Sequence, residues 1–293
     1  MNAPLGYRLV RGFTRLLAGI FYRRVEVVGA ERIPGGPLIV VANHQNALVD
    51  PLLLVAALPR RLRPIAKRPL FRILPLRPLL SLAGAIPVDR QQEAGGDPQR
   101  NAAMFAAVGA ALERGEAILI FPEGVSHAET TLQPLRTGAA RILLSAVAER
   151  GLRPALLPVG LVFREPATLR GGWAALQIGA PIPTDDLREL APTDPATAVR
   201  QLTERIAEGL RRQLVELDDW QTARLLRVAE RIWRDEVGAL EPGAERLAWM
   251  RQVARAHREL LAREPERLNR LRDQLERYAA TLGRLGLTGS ELQ

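Results

Sequence analysis

The sequence predicts an α/β fold: a sheet with flanking helices, preceded by an amphipathic helix and followed by a helical appendage. Three observations carry that expectation. Short runs rich in Val, Ile and Leu alternate with helical patterns over residues 25–183. The N-terminal stretch carries apolar and basic residues on separate helical faces. Beyond Asp194 the strand signal stops and apolar residues recur at helical spacing alone.

In chain order, residues 5–22 read as the amphipathic helix. Leu9, Phe13, Leu16, Leu17, Ile20 and Phe21 recur at helical spacing, while Arg8, Arg11 and Arg15 share another face. Three arginines within the span argue against a transmembrane helix, which needs about 20 mostly apolar residues. A helix lying on anionic lipid fits this pattern, as does an ordinary surface helix packed on the domain. Val25–Gly29 and Leu38–Ala42 follow as strands, separated by the turn residues Pro34-Gly35-Gly36-Pro37. Residues 52–58 are apolar and read as helix, and Arg60, Arg61, Arg63, Lys67 and Arg68 form a basic cluster after them. Leu70–Val88 is apolar but broken by Pro75, Arg77 and Pro78. It suits an acyl groove, a membrane-surface segment or a buried core helix.

Gln91–Arg100 reads as a polar loop, 99–114 as a helix, Ala117–Phe121 as a buried strand and 134–150 as another helix. Ala155–Phe163 and Ala174–Ile178 complete the strands. Val199, Leu202, Ile206, Leu210, Leu214 and Leu217 then make one helical stripe, with further helices around 225–233, near 244–263 and over 268–285. The expected organisation is an interfacial helix over 1–24, an α/β domain over 25–196 and a helical appendage over 197–293.

The 293 residues suffice for a substantial core. Cysteine is absent, which excludes disulfides, thiolate metal sites and a cysteine nucleophile. No cleavable signal pattern is evident at the N-terminus. The net charge of +9 and pI of about 11.1 favour anionic partners: nucleic acid, anionic lipid or phosphorylated substrates. Aromatic residues are only 4%, too few for base-stacking platforms, and no nucleic-acid motif is present.

The most informative stretch is Asn43-His44-Gln45-Asn46-Ala47-Leu48-Val49-Asp50-Pro51, directly after an apolar strand. Histidine accepts a proton near neutral pH, and a carboxylate can orient it and stabilise its cation. The chain has only three histidines, so one beside a strand end is a candidate for chemistry. Three more blocks follow: Gly84–Arg90, Phe121-Pro122-Glu123-Gly124-Val125-Ser126-His127, and Leu156-Leu157-Pro158-Val159-Gly160. Sites of open α/β sheets gather outside the carboxyl ends of strands, so these blocks can converge. Ser126 and His127 lack a G-x-S-x-G frame and read as loop structure.

In order and spacing the blocks resemble the motifs of the glycerophospholipid acyltransferases, the family of glycerol-3-phosphate and 1-acylglycerol-3-phosphate acyltransferases. The resemblance covers residues 25–183. The tail, with Ala254-Arg255-Ala256-His257 and Leu285-Gly286-Leu287, is similar to that of fungal-type glycerol-3-phosphate/dihydroxyacetone-phosphate acyltransferases. The resemblance implies a mixed sheet of that family's type with flanking helices. It implies His44 as general base oriented by Asp50, Arg90 as phosphate ligand, Glu123 and Gly124 in the acceptor-binding loop, and Arg136 and Lys67 as further basic contacts. It implies an acyl-CoA or acyl-carrier-protein donor, a phosphorylated glycerol acceptor, no cofactor and no metal. The place implied is the cytoplasmic face of a membrane, peripheral or monotopic. One departure concerns Asp50. The usual spacing would put the carboxylate at 49, where Val49 stands. One residue turns a helix by about 100°, so the geometry of the pair is at stake. The rival classes are a hydrolase, either metal-assisted through His44, Asp50, Glu123 and His127 or a thioesterase through His44 and water, and a non-catalytic basic lipid-binding protein.

Overall fold

A computed structural model of the chain describes residues 4–89, 98–163, 172–217, 219–238 and 240–284. Its strands are β1 (Arg24–Val28), β2 (Leu38–Ala42), β3 (Leu62–Lys67), β4 (Ile86–Val88), β5 (Ala117–Ile120), β6 (Ala155–Phe163) and β7 (Trp173–Ile178). They form one sheet in the order β1-β7-β6-β2-β5-β3-β4. Neighbours run parallel except β6 and β7, so the sheet is mixed, as the sequence implied. The helices of the same unit are α1 (Leu5–Phe21), α2 (Val49–Ala57), α3 (Leu76–Ala83), α4 (Pro98–Glu113), α5 (Gly138–Arg150), α6 (Asp185–Leu190) and α7 (Pro195–Arg211).

The central strand shows why the chain adopts this arrangement. All five residues of β2 are fully buried. Side chains alternate between the faces of a strand. Leu38, Val40 and Ala42 therefore join a core with α1 and α2, while Ile39 and Val41 join one with α4, α5 and α7. A strand covered on both faces needs an unbroken apolar run, which is what residues 38–42 supply.

Three sequence expectations change. The basic cluster at 60–68 is not one site. Leu62–Lys67 is a strand whose ends lie about 17 Å apart, so Arg60, Arg61 and Arg63 are separated from Lys67 and Arg68. At the amino end, Arg61, Arg63 and Arg114 surround the buried Glu116 at 2.7, 3.2 and 3.3 Å. The segment 70–88 is not a buried core helix. It forms a short 3-10 turn, α3 and β4, with Ile73, Leu74 and Leu82 exposed and only Ala83 buried within α3. Finally, the chain divides after Leu214 rather than at 196. Asp194 accepts a hydrogen bond from the Thr197 N–H at 3.0 Å to cap α7, and Pro195 opens the helix. Its stripe Ala198, Leu202, Ile206 and Leu210 is then buried in the α4–α5 core, which makes α7 part of the sheet domain.

The second unit, from Val215 onward, contains α8 (Trp220–Glu236), α9 (Ala244–Arg263) and α10 (Pro265–Arg284). Asp219 caps α8 through the Thr222 N–H at 2.6 Å. Leu217, Leu226, Trp249 and Ala254 form its small core.

Candidate active site

Four parallel neighbours, β2, β5, β3 and β4, present their carboxyl ends on one edge of the sheet. Sites of open α/β sheets form at such an edge. Three of the sequence blocks leave these strands there. The fourth does not. Leu156–Gly160 lies within β6, paired with β2 through Pro158 and Val159, and the strand runs on to Phe163. It backs the site instead of ending at it. A Cβ on Gly160 would stand 2.5 Å from the Gln213 carbonyl oxygen, so the glycine serves close packing of the backbone.

The His44 loop is fixed residue by residue. The Asn43 side chain, fully buried, donates to the Leu161 carbonyl at 3.0 Å and accepts from the Leu161 N–H at 2.7 Å. It thereby continues the β2–β6 pairing one residue past the end of β2. Gln45 donates to the Glu129 carbonyl at 2.7 Å, and Ser126 Oγ accepts from the Ala47 N–H at 2.8 Å. Ala47 has φ 39°, the left-handed region in which a Cβ is strained by about 1–2 kcal/mol. The surrounding bonds hold it there.

Beyond that turn, Asp50 falls in the first turn of α2, and the longer spacing still brings it to His44. His44 Nδ1 is 2.8 Å from Asp50 Oδ2, and the Asn46 backbone N–H donates to the same oxygen at 2.8 Å. A carboxylate can only accept, so Nδ1 carries the proton, and in the neutral ring Nε2 then keeps its lone pair. The imidazole stacks on Phe121, with centroids 4.1 Å apart and planes at 17°, and is 18% exposed. Asp50 is fully buried, and no hydrogen-bond partner of its Oδ1 is found among the described residues. Burial pushes its carboxyl above the ordinary value of 3.8, the His44 hydrogen bond and charge and the Asn46 N–H pull it back, and Glu123 adds a further push.

An acid whose proton is held more tightly in the folded state stabilises the fold at low pH and loses that contribution as pH rises through the raised value. Urea denaturation of wild type and Asp50→Asn at pH 4 and pH 7 should show the wild type gaining on the variant at the lower pH. A difference independent of pH would contradict the assigned shift.

Glu123 was expected to line the acceptor loop, but its carboxylate is turned inward and fully buried. Oε1 accepts from the His44 backbone N–H at 2.6 Å. Oε2 accepts from His127 Nε2 at 2.5 Å and from the Gln133 N–H at 2.8 Å. His127 Nδ1 in turn accepts from the Glu129 N–H at 3.2 Å, and its backbone N–H donates to the His44 carbonyl at 3.1 Å. Glu123 and His127 therefore clamp the two loops together, and Ser126 belongs to the same clamp. Gly124 has φ 72°, and a Cβ there would meet Arg136 Cδ at 2.7 Å. Arg136, exposed at the start of α5, lies across that glycine, and its backbone N–H donates to the Pro122 carbonyl at 2.8 Å. Lys67 ends β3 on the same edge. Arg90 lies outside the described residues; Asp89, just before it, takes Arg68 Nε at 2.8 Å on each oxygen.

Sequence reasoning passed over Asn46 and Tyr22. Asn46 Nδ2 donates to the Tyr22 hydroxyl at 2.7 Å, and both residues are buried. Among the described residues no three His, Asp or Glu side chains are grouped to hold a metal ion.

Residues 24–162 match the family model Acyltransferase. The 1-acyl-sn-glycerol-3-phosphate acyltransferase alpha of Bos taurus is 32% identical over 62% of this chain and 61% of its own length. Glycerol-3-phosphate O-acyltransferase 2 of Saccharomyces cerevisiae is 31% identical over 39% of this chain and 16% of its own. The chain thus spans less than two thirds of the length of these curated relatives. Among solved structures, the 1-acyl-sn-glycerophosphate (LPA) acyltransferase PlsC from Thermotoga maritima matches at 21% identity and a TM-score of 0.48, over 67% of this chain and 79% of the other. The His44–Asp50 pair and the Phe121–Gly124 loop fall inside the matched span, and residues 24–162 carry an Acyltransferase domain.

Proposed function

We propose that the protein transfers a fatty acyl group from a thioester donor, acyl-CoA or acyl-carrier protein, to a hydroxyl of a glycerol-phosphate acceptor. The observation that carries this reading is the His44–Asp50 contact of 2.8 Å at the carboxyl edge of the sheet, which in the neutral ring leaves Nε2 to accept a proton. In the reaction, Nε2 takes the acceptor hydroxyl proton while that oxygen attacks the thioester carbonyl carbon. The C–S bond then breaks, and the imidazolium returns its proton to the departing thiolate. Asp50 holds the ring in one tautomer and offsets the cation, the role of the carboxylate in a Ser-His-Asp triad, with the acceptor hydroxyl standing where serine would be. Lys67, Arg90 and Arg136 are the cations for the acceptor phosphate, because guanidinium and ammonium groups match its oxygens.

An acceptor panel with radiolabelled palmitoyl-CoA tests the substrate class. Label should enter product with glycerol 3-phosphate, dihydroxyacetone phosphate or 1-acylglycerol 3-phosphate, and not with glycerol. Equal labelling of glycerol would remove the phosphate from the account.

The same reading places α1 on a membrane surface. Its core face is Tyr7, Val10, Thr14 and Ala18, yet Leu5, Leu9, Phe13, Leu16 and Ile20 stay 46–70% exposed on another side. Five large apolar side chains on one exposed helical strip, flanked by Arg8 and Arg15, suit an interface with anionic lipid. No described helix is long and apolar enough to cross a membrane. Leu9→Glu combined with Phe13→Glu should release the protein from anionic vesicles in a sedimentation assay, with little effect on stability because both sites are exposed. Undiminished vesicle binding would show that α1 is not the anchor.

A further inference from the structure

We infer that Tyr22 is a positioning residue of the acyl-transfer site, acting through Asn46 on the Asp50–His44 pair; this rests on the proposed role of His44 as general base. Four observations carry it. Asn46 is held at both ends: its backbone N–H donates to Asp50 Oδ2 at 2.8 Å and its side-chain Nδ2 donates to the Tyr22 hydroxyl at 2.7 Å. Asp50 Oδ2 is the oxygen that also takes His44 Nδ1 at 2.8 Å, so the two donors share one acceptor atom. Asp50 Oδ1 has no hydrogen-bond partner among the described residues, which leaves Oδ2 as the handle by which the carboxylate is oriented. Tyr22 is rigid: it is 2% exposed, stacks on Phe163 with centroids 5.7 Å apart, and its N–H bonds the Ala18 carbonyl at 2.8 Å as the C-cap of α1.

The peptide before Asn46 is fixed by its partners. The following residue, Ala47, sits at φ 39°, so this turn is held by its surroundings and not by its own backbone preference. Without the Tyr22 hydroxyl the Asn46 side chain loses its buried partner and must seek another, which takes its backbone N–H away from Oδ2. The Asp50 carboxylate can then pivot about its bond to His44, and the imidazole loses the orientation that aims Nε2 at the acceptor. A catalytic group displaced in this way loses rate more than it loses substrate affinity. The hydroxyl of Tyr22 touches neither His44 nor any reacting atom, so its influence is transmitted and not direct.

The test is steady-state kinetics of wild type, Tyr22→Phe, Asn46→Ala, the double variant and His44→Ala, with thermal melting of each. Tyr22→Phe keeps the ring, its stack on Phe163 and its packing, and removes one oxygen. It should lower kcat about tenfold, the kinetic equivalent of one hydrogen bond, with KM for donor and acceptor within about twofold of wild type. The double variant should be no slower than Asn46→Ala, because the two act along one chain. Wild-type kcat in Tyr22→Phe, or losses that multiply in the double variant, would overturn the inference while leaving His44 in place. Should Tyr22→Phe fail to fold, Asn46→Ala alone decides: a drop in kcat at unchanged KM supports the chain, and unchanged kcat refutes it. Full activity in His44→Ala would instead remove the base itself, and this inference with it.

Discussion

His44→Ala is expected to lower acyl transfer by about 10²–10⁴-fold, the usual worth of a general base, while circular dichroism and melting show a folded protein. In barrier terms this is about 2.7–5.5 kcal/mol. The loss should fall on kcat, since the imidazole removes a proton in the transition state and holds neither substrate in the ground state. The fold should survive because the ring is partly exposed and one donor to Asp50 Oδ2, the Asn46 N–H, remains in place. Full activity in this variant would show that the pairing with Asp50 at 2.8 Å is structural only.

Glu123→Ala should behave differently, losing both activity and stability. Its carboxylate is fully buried and accepts from the His44 N–H, His127 Nε2 and the Gln133 N–H. Removing it strands three partly buried donors at once. Breaking a buried ionic or charge-assisted cluster on one side costs about 3–5 kcal/mol. For a unit of this size that lowers the melting temperature by roughly 10 °C. Activity should fall as well, because the His44 backbone is released. Differential scanning calorimetry of Glu123→Ala beside His44→Ala separates the two roles: a brace moves the melting temperature strongly, a base moves the rate. A Glu123→Ala protein as stable as wild type would show that the clamp is not what holds the two loops.

These contrasts also show what the sequence makes legible. The unbroken apolar run 38–42 reveals a central strand because burial on both faces tolerates nothing else. The helices over 5–21 and 195–211 are visible because one residue in three or four must meet the core. The strand Leu62–Lys67 escaped notice: Arg63, Pro64 and Lys67 break the apolar pattern, and only Leu62 and Pro64 are buried. Its place in the sheet is set by pairing with β5 and β4, a long-range fact that no local window contains. The α1 stripe was visible, but not its direction. The core takes Tyr7, Val10, Thr14 and Ala18, and the more apolar side is left outside.

The site divides in the same way. His44, Asp50, Glu123 and Gly124 stand out by residue type and spacing. Which of them faces substrate is decided by hydrogen bonds between loops far apart in the chain. His44 and Glu123 are 79 residues apart, and Tyr22 and Asn46 are 24 apart. Glu123, which the resemblance implies in the acceptor loop, has its carboxylate buried against the His44 loop, and Asn46, to which the sequence assigns no role, donates to the Asp50 carboxylate. Between His44 and Asp50 the chain passes through a left-handed Ala47, a residue type that gives no sign of that conformation.

The most direct measurement of the central claim is thiol release from palmitoyl-CoA with and without a glycerol-phosphate acceptor, in wild type and His44→Ala. An acyltransferase using His44 as base releases CoA rapidly only when the acceptor is present, in step with labelled product, and His44→Ala loses that acceptor-dependent release. Release at the same rate without acceptor, yielding free fatty acid, would identify water as the nucleophile and contradict the account.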